Sequence, residues 1–370
     1  MKKRCFFIGT PGGTGAVASH FCALGRELAA RGHEVKFLIP RADAAASPGG
    51  GNPELLVWPS ARPTGLRDAL FLAKLIRRFR PDCFMANFAA VNWMCVVGWL
   101  LRVEHRNIFY HTLRSQIEFD LRNTSRLKLN LLRFRKRFVF RLATGLLANS
   151  SAGAEDLLTG YGVPESKCTV QYLGLADPCV SQPMLPVEAR EDTVLCVGRL
   201  HPSKGQDILI DAIAGLEVPA NGTGFHFLGK GPALSDLQKR ATEKGVADRC
   251  VFEGALKHAE VLSRMSRAKA VVVPSRTEAF GLVNVEAISM ATPVVAARVG
   301  GIPEIVRDGE EGLLFAPGDA ASLTEKLATL LCDVELRKRL GNNGRDRYLR
   351  TFELKQRVKN HARFLEDSRG

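Results

Sequence analysis

Short apolar runs recur along the chain at residues 6–8, 35–39, 82–86, 107–110, 146–148 and 168–172, bounded by glycine, proline or polar residues. Between them, apolar residues return every three or four positions. In residues 14–30, Val17, Phe21, Leu24 and Leu28 fall on one face of a helix flanked by two strand-like runs, which is a βαβ opening. A basic helical stretch at 66–80 and a mostly apolar one at 88–101 continue the alternation. This rhythm predicts a parallel sheet covered on both faces.

A second series of strand-like runs occupies residues 194–197, 225–228, 250–252, 270–273, 294–296 and 312–315. The stretch 177–186, with three prolines and no periodicity, separates the two series as a linker does. The expected organisation is an α/β chain of two Rossmann-like doubly wound domains. Residues 1–178 form the first and 193–350 the second; 179–192 link them, and a helix in 351–370 packs back on the first domain. At 370 residues, 46% hydrophobic and 24% charged, the chain can fill two cores of ordinary size.

Composition narrows the function classes. Nine cysteines without a C-x-x-C pair argue against a disulfide framework and against a structural zinc site. There is no 18-residue uncharged span, and the basic start meets glycine too soon for a signal peptide, so a cytoplasmic location is expected. The net charge of +14 is concentrated in the first 180 residues, which suits an anionic membrane face or an acidic acceptor. Nucleic acid is set aside because no binding module accompanies the charge.

Two regions carry candidate chemistry. Gly13-Thr14-Gly15-Ala16-Val17-Ala18 fits G-x-G-x-x-A, which would suit a nicotinamide-dependent oxidoreductase. That reading wants an acid at the end of the second strand, where the chain has Leu38-Ile39-Pro40-Arg41. In the second half, Arg199 ends a strand and Lys204 stands at a helix entrance, a pair suited to a diphosphate. Further on, a buried-type strand runs into Glu278-Ala279-Phe280-Gly281-Leu282-Val283-Asn284-Val285-Glu286. Amides of Phe280, Gly281, Leu282 and Val283 at that helix start would face phosphate oxygens, and the two glutamates could accept from sugar hydroxyls. Two glutamates eight apart can also be an ordinary solvated face, but the helix around Glu286 is apolar, so that carboxylate needs a partner.

Together with these residues, the elements Val197-Gly198-Arg199-Leu200 with Lys204-Gly205, Gly229-Lys230-Gly231-Pro232, Gly300-Gly301-Ile302-Pro303-Glu304-Ile305-Val306, Ala148-Asn149-Ser150 and Tyr161-Gly162-Val163-Pro164 form an ordered set. The set resembles the retaining GT-B glycosyltransferases of the group 1 or family 4 class, over essentially the full chain. The resemblance implies two domains facing across a cleft, a nucleoside-diphosphate sugar as donor, and a glycan or lipid-linked acceptor in cell-envelope polysaccharide or lipopolysaccharide synthesis. It gives the diphosphate to Arg199 and Lys204, the ribose to Glu286 and the transferred sugar to Glu278. The loop of Gly12, Gly13 and Thr14 would close over the phosphate, and Leu256 would border the base. His111, after a strand-like run, would meet the donor sugar near the reacting centre. Here it is followed by Thr112-Leu113-Arg114, where the family often has Gly or Asp. No cofactor and no metal are implied, since cations and helix amides take the leaving-group charge and no Asp-x-Asp run is present. A non-catalytic partner subunit of the same fold is the remaining alternative, which intact Arg199, Lys204, Glu278 and Glu286 argue against.

One segment is left over. Residues 126–142 carry Leu127, Leu131, Phe134, Phe138 and Leu142 at helical spacing, with Arg126, Arg133, Arg137 and Arg141 beside that stripe. The stripe can pack on the first domain's sheet, or the helix can lie on an anionic membrane or acceptor surface through Arg133, Arg135, Lys136 and Arg137. The second reading would place the enzyme peripherally on the inner membrane face.

Overall fold

The computed structural model describes residues 3–11, 15–41, 51–122, 124–180, 183–217 and 222–367. It divides into two compact units: Met1–Arg114 with Leu121–Ala176 and Leu354–Gly370, and Ser115–Asp120 with Asp177–Glu353. The short segment Ser115–Asp120, which the sequence places in the first domain, thus belongs with the second unit.

The first unit is built on seven strands: β1 (Cys5–Gly9), β2 (Glu34–Ile39), β3 (Glu54–Val57), β4 (Cys83–Ala86), β5 (His105–Tyr110), β6 (Gly145–Ala148) and β7 (Cys168–Val170). All pair in parallel, in the order β3-β2-β1-β4-β5-β6-β7. The sheet is covered on both faces, which is why β1 and β4 are buried along their whole length. One core joins Phe7, Phe84 and Met94 with the helix Leu66–Phe79, and another joins Ile108, Tyr110, Val139 and Phe140. Strand β3 is the element the hydrophobic pattern does not announce, because its four residues are only half-buried at the sheet edge.

The second unit has six parallel strands: β8 (Glu191–Val197), β9 (Gly224–Leu228), β10 (Cys250–Gly254), β11 (Ala268–Val273), β12 (Val294–Ala297) and β13 (Gly312–Phe315). Their order is β10-β9-β8-β11-β12-β13. Strand β8 starts at Glu191, inside the stretch read as linker. Each sheet winds outward in both directions from its first strand. The order reverses between β1 and β4 in one unit and between β8 and β11 in the other, and ligands of open α/β sheets bind at such points.

The helix Leu354–Asp367 belongs to the first unit and lies along the helix Ala16–Ala30. His20 and His361 meet ring nitrogen to ring nitrogen at 3.1 Å, while Glu366 accepts from Arg31 at 2.7 Å and pairs with His33 at 2.9 Å. The helix Arg126–Leu142 buries Val139 and Phe140, on the face opposite the expected stripe. Leu127, Leu131, Phe134 and Phe138 are 81%, 67%, 71% and 49% exposed, so the expectation that the stripe packs on the sheet is overturned. Among the described residues, no helix is long and apolar enough to cross a membrane.

Candidate active site

At the β8/β11 switch point, the loops after the two strands are locked together. Gly205 stands at φ +68°, and a Cβ there would lie 2.0 Å from the Pro274 carbonyl oxygen, so the first loop can reach the second only without a side chain. Arg276 fastens the contact: its amide donates to Ser203 O and its guanidinium to Pro202 O, both at 2.9 Å. The same guanidinium grips Asp207 with bonds of 2.7 and 2.6 Å. Burial works against the Asp207 carboxylate, yet Arg276 holds it below the usual carboxylate range.

This clamp sets Lys204 and Glu278 face to face, with Lys204 Nζ 2.5 Å from Glu278 Oε2. Gly301 N–H donates to the Glu278 carbonyl at 3.2 Å, so the Gly300-Gly301 element fixes the backbone beneath the carboxylate. Arg199 is exposed just past β8, and Gln206 Nε2 donates to its carbonyl at 3.0 Å. Gly281 starts the helix Leu282–Ser289 at φ +94°, where a Cβ would come within 2.5 Å of Asn284 Nδ2. The amides of Leu282 and Val283, in the first turn of that helix, precede any intrahelical acceptor, while Phe280 is buried at its foot. Glu286 is buried within the helix, and its Oε1 accepts from His258 Nε2 at 2.9 Å. That bond raises the His258 pKa against the opposing effect of burial. His258 opens the helix that follows half-buried Leu256.

In the first unit, His111 follows β5. Its Nε2 lies 2.8 Å from Asn87 Oδ1, and Asn87 Nδ2 donates to Gly9 O at 2.9 Å. The second bond fixes the Asn87 amide, so His111 Nε2 carries the proton and Nδ1 keeps its lone pair. Phe88 stacks on the imidazole at 4.4 Å and 4°. Burial, with His20 nearby, pulls the His111 pKa down to about 3, so the ring is neutral. Gly12, Gly13 and Thr14 lie outside the described residues. Among the described residues, no group of three or more His, Cys, Asp or Glu could hold a metal ion.

Residues 183–347 match the model of the glycosyl transferases group 1, and residues 15–176 match that of glycosyltransferase family 4. The chain belongs to the group 1/family 4 glycosyltransferases. It is 34% identical over 183 residues to the GDP-mannose-dependent alpha-(1-6)-phosphatidylinositol monomannoside mannosyltransferase of Mycolicibacterium smegmatis, covering 48% of each chain. The chain thus spans about half the length of the curated relatives it matches. Sucrose-phosphate synthase of Thermosynechococcus elongatus superposes with a TM-score of 0.78 at 21% identity, with 98% of both chains covered. Anabaena HepE in complex with UDP-glucose gives 0.75 at 22% identity, covering 98% of this chain and 99% of its own. These two likenesses establish the GT-B fold.

Within this family frame, the residues read from the sequence divide into those the structure brings together and those it does not. Lys204, Glu278 and the Gly281 helix start converge at the β8/β11 switch point. Lys204 is spent on Glu278, and Glu286 on His258. Of the four cations assigned to a surface, Arg137 donates to Gly160 O at 3.3 Å, and Lys136 turns over the rings of Tyr110 and Tyr161. His258, the Arg276–Asp207 clamp and Asn87 were missed. Only Asn87 had a sequence signal, a polar residue directly after a buried strand beside a switch point.

Proposed function

We propose that this glycosyltransferase moves a hexose from a nucleoside-diphosphate sugar to a glycan or glycolipid acceptor of the cell envelope, with retention of configuration and without a metal. The observation that carries the reading is the Lys204–Glu278 pair held at the β8/β11 switch point, beside the helix that buries Glu286. When the glycosidic bond breaks, negative charge gathers on the diphosphate. Arg199, Lys204 and the amides of Leu282 and Val283 stabilise that charge at fixed positions. Glu286 takes the ribose hydroxyls. Glu278, released from Lys204 as the diphosphate takes its place, accepts from hydroxyls of the transferred sugar. Neutral His111 offers the sugar an uncharged hydrogen-bond partner. The mycobacterial relative is named for GDP-mannose and the HepE structure holds UDP-glucose, which supports this donor class.

The exposed stripe of Leu127, Leu131, Phe134 and Phe138 lies between Arg126, Arg133, Arg137 and Arg141 on one side and Lys128 and Arg135 on the other. This pairing of apolar and basic faces fits the cytoplasmic leaflet of an anionic membrane, where a lipid-linked acceptor would be met. The donor test is a thermal-shift panel of UDP, GDP and ADP sugars. One base should raise the melting point of the wild type and fail to do so for Lys204→Ala. A panel in which no nucleotide shifts the wild type overturns the reading. Turnover should persist in EDTA, and loss restored by magnesium or manganese would overturn the metal-free account.

A further inference from the structure

The first unit contains a pocket of about 170 Å³ over the carboxyl end of β5, between the helices Val91–Leu100 and Arg126–Leu142. Its wall includes Phe88, Tyr110, His111, Arg135 and Lys136. A cavity of about 150 Å³ holds one six-membered ring, so the space suits a single sugar-sized ring.

The chemistry of the wall is unusual for a packing defect. Lys136 points inward from a helix whose other cations flank the exposed stripe, and among the described residues its ammonium has no ion pair and no hydrogen bond. It lies 5.7 and 5.5 Å from the ring centres of Tyr110 and Tyr161. The nearest carboxylate, Asp156, is already engaged: Tyr110 Oη donates to it at 2.6 Å and the Arg114 amide at 2.7 Å. Burial lowers the Lys136 pKa to about 8; Asp156 opposes that shift and Arg135 adds to it. Three ammonium donors thus stand half-buried without an acceptor, which an anion would supply. On the same wall His111 keeps an unprotonated Nδ1, able to accept from a hydroxyl. Phe88, half exposed and stacked on His111, sits at φ +47°. A non-glycine residue held in that region marks strain that surrounding structure maintains, as binding sites often do.

We propose that this pocket seats one ring of the acceptor and that Lys136, assisted by Arg135, binds a phosphate group carried by that ring. The inference rests on the reading of the chain as a transferase and adds the class of acceptor: a phosphorylated cyclic polyol, either free in solution or as a phospholipid headgroup.

The full-length protein is titrated with glucose 6-phosphate and with glucose, and sedimented with phosphatidylcholine vesicles containing either phosphatidylinositol or phosphatidylglycerol. The two anionic lipids carry the same charge, but only phosphatidylinositol carries the ring. Binding of glucose 6-phosphate over glucose identifies a soluble acceptor class, and preference for phosphatidylinositol over phosphatidylglycerol identifies a lipid one. In either case Lys136→Gln should weaken the favoured probe roughly tenfold or more, while Lys136→Arg retains much of the binding. UDP- or GDP-sugar binding is measured alongside. If the nucleotide binds and neither phosphorylated probe is preferred, or if Lys136→Gln binds the favoured probe as well as the wild type, the pocket proposal fails alone. If a probe binds through Lys136 and no nucleotide does, the transferase reading fails instead.

Discussion

Lys204 and Glu278 neutralise each other in the structure, and this sets the expected behaviour of both. Lys204→Ala removes a charge-assisted contact and should weaken nucleoside diphosphate binding by about 1.5–3 kcal/mol in a calorimetric titration. Glu278→Ala removes the competitor for Lys204, so the free nucleotide should bind equally or more tightly while turnover is lost. Equal loss of nucleotide affinity in both variants would show that the pair acts only as a structural bridge. Glu286 behaves differently because its partner is a histidine. Since His258 is raised above its unfolded value, the pair is fully formed below about pH 6.5 and its contribution fades as pH rises through the folded value. In a histidine NMR titration, Glu286→Gln should bring the His258 midpoint down toward its ordinary value. An unchanged midpoint would contradict the assigned hydrogen bond.

At the scale of elements, the helix Arg126–Leu142 gives the sharpest expectation. Leu127, Leu131, Phe134 and Phe138 are exposed, so replacing Phe134 and Phe138 with serine should change stability by no more than about 0.5 kcal/mol each. Sedimentation with anionic vesicles should nevertheless fall, and wild-type binding should weaken with salt. Unchanged sedimentation of the double variant would remove the stripe from membrane binding. The sequence made this helix legible but not its buried side. Its apolar residues form two faces, and the more regular stripe points to solvent while Val139 and Phe140 reach the core. Most strands were legible because parallel strands buried on both faces are uninterrupted apolar runs, whereas edge strand β3 is short and half-buried. The site was legible where spacing encodes chemistry, as between Glu278 and Glu286. It was not legible where chemistry depends on partners distant in sequence, as in Arg276 with Asp207 or Asn87 with His111.

For the whole molecule, the distribution of histidines predicts that acid acts unequally on the two units. In the first, Gly174 N–H donates to His20 Nδ1 at 3.0 Å, so His20 Nε2 must carry the proton that it gives to His361 Nδ1. His361 Nε2, buried, then has no partner among the described residues. Adding a proton to either ring sets donor against donor. Burial, reinforced by Arg357, lowers the His20 pKa to about 3, and burial with His20 beside it lowers His361 well below 6.5. His111 is depressed for the same physical reason. Each of these rings is more basic in the unfolded chain than in the folded one. Their contribution is therefore intact above about pH 6.5 and is lost as pH falls toward the folded values, at up to about 1.4 kcal/mol per pH unit for each ring. The His258–Glu286 pair in the second unit has the opposite sign in the upper part of that range. Native-state hydrogen exchange at pH 7 and pH 5 should therefore show protection lost first in β1 and the helix Ala16–Ala30, with β8 and β11 holding. His361→Leu should flatten this acid dependence even if it lowers stability at pH 7. Parallel loss of protection in both units, or an unaltered slope in His361→Leu, would show that the buried histidines do not govern the acid response.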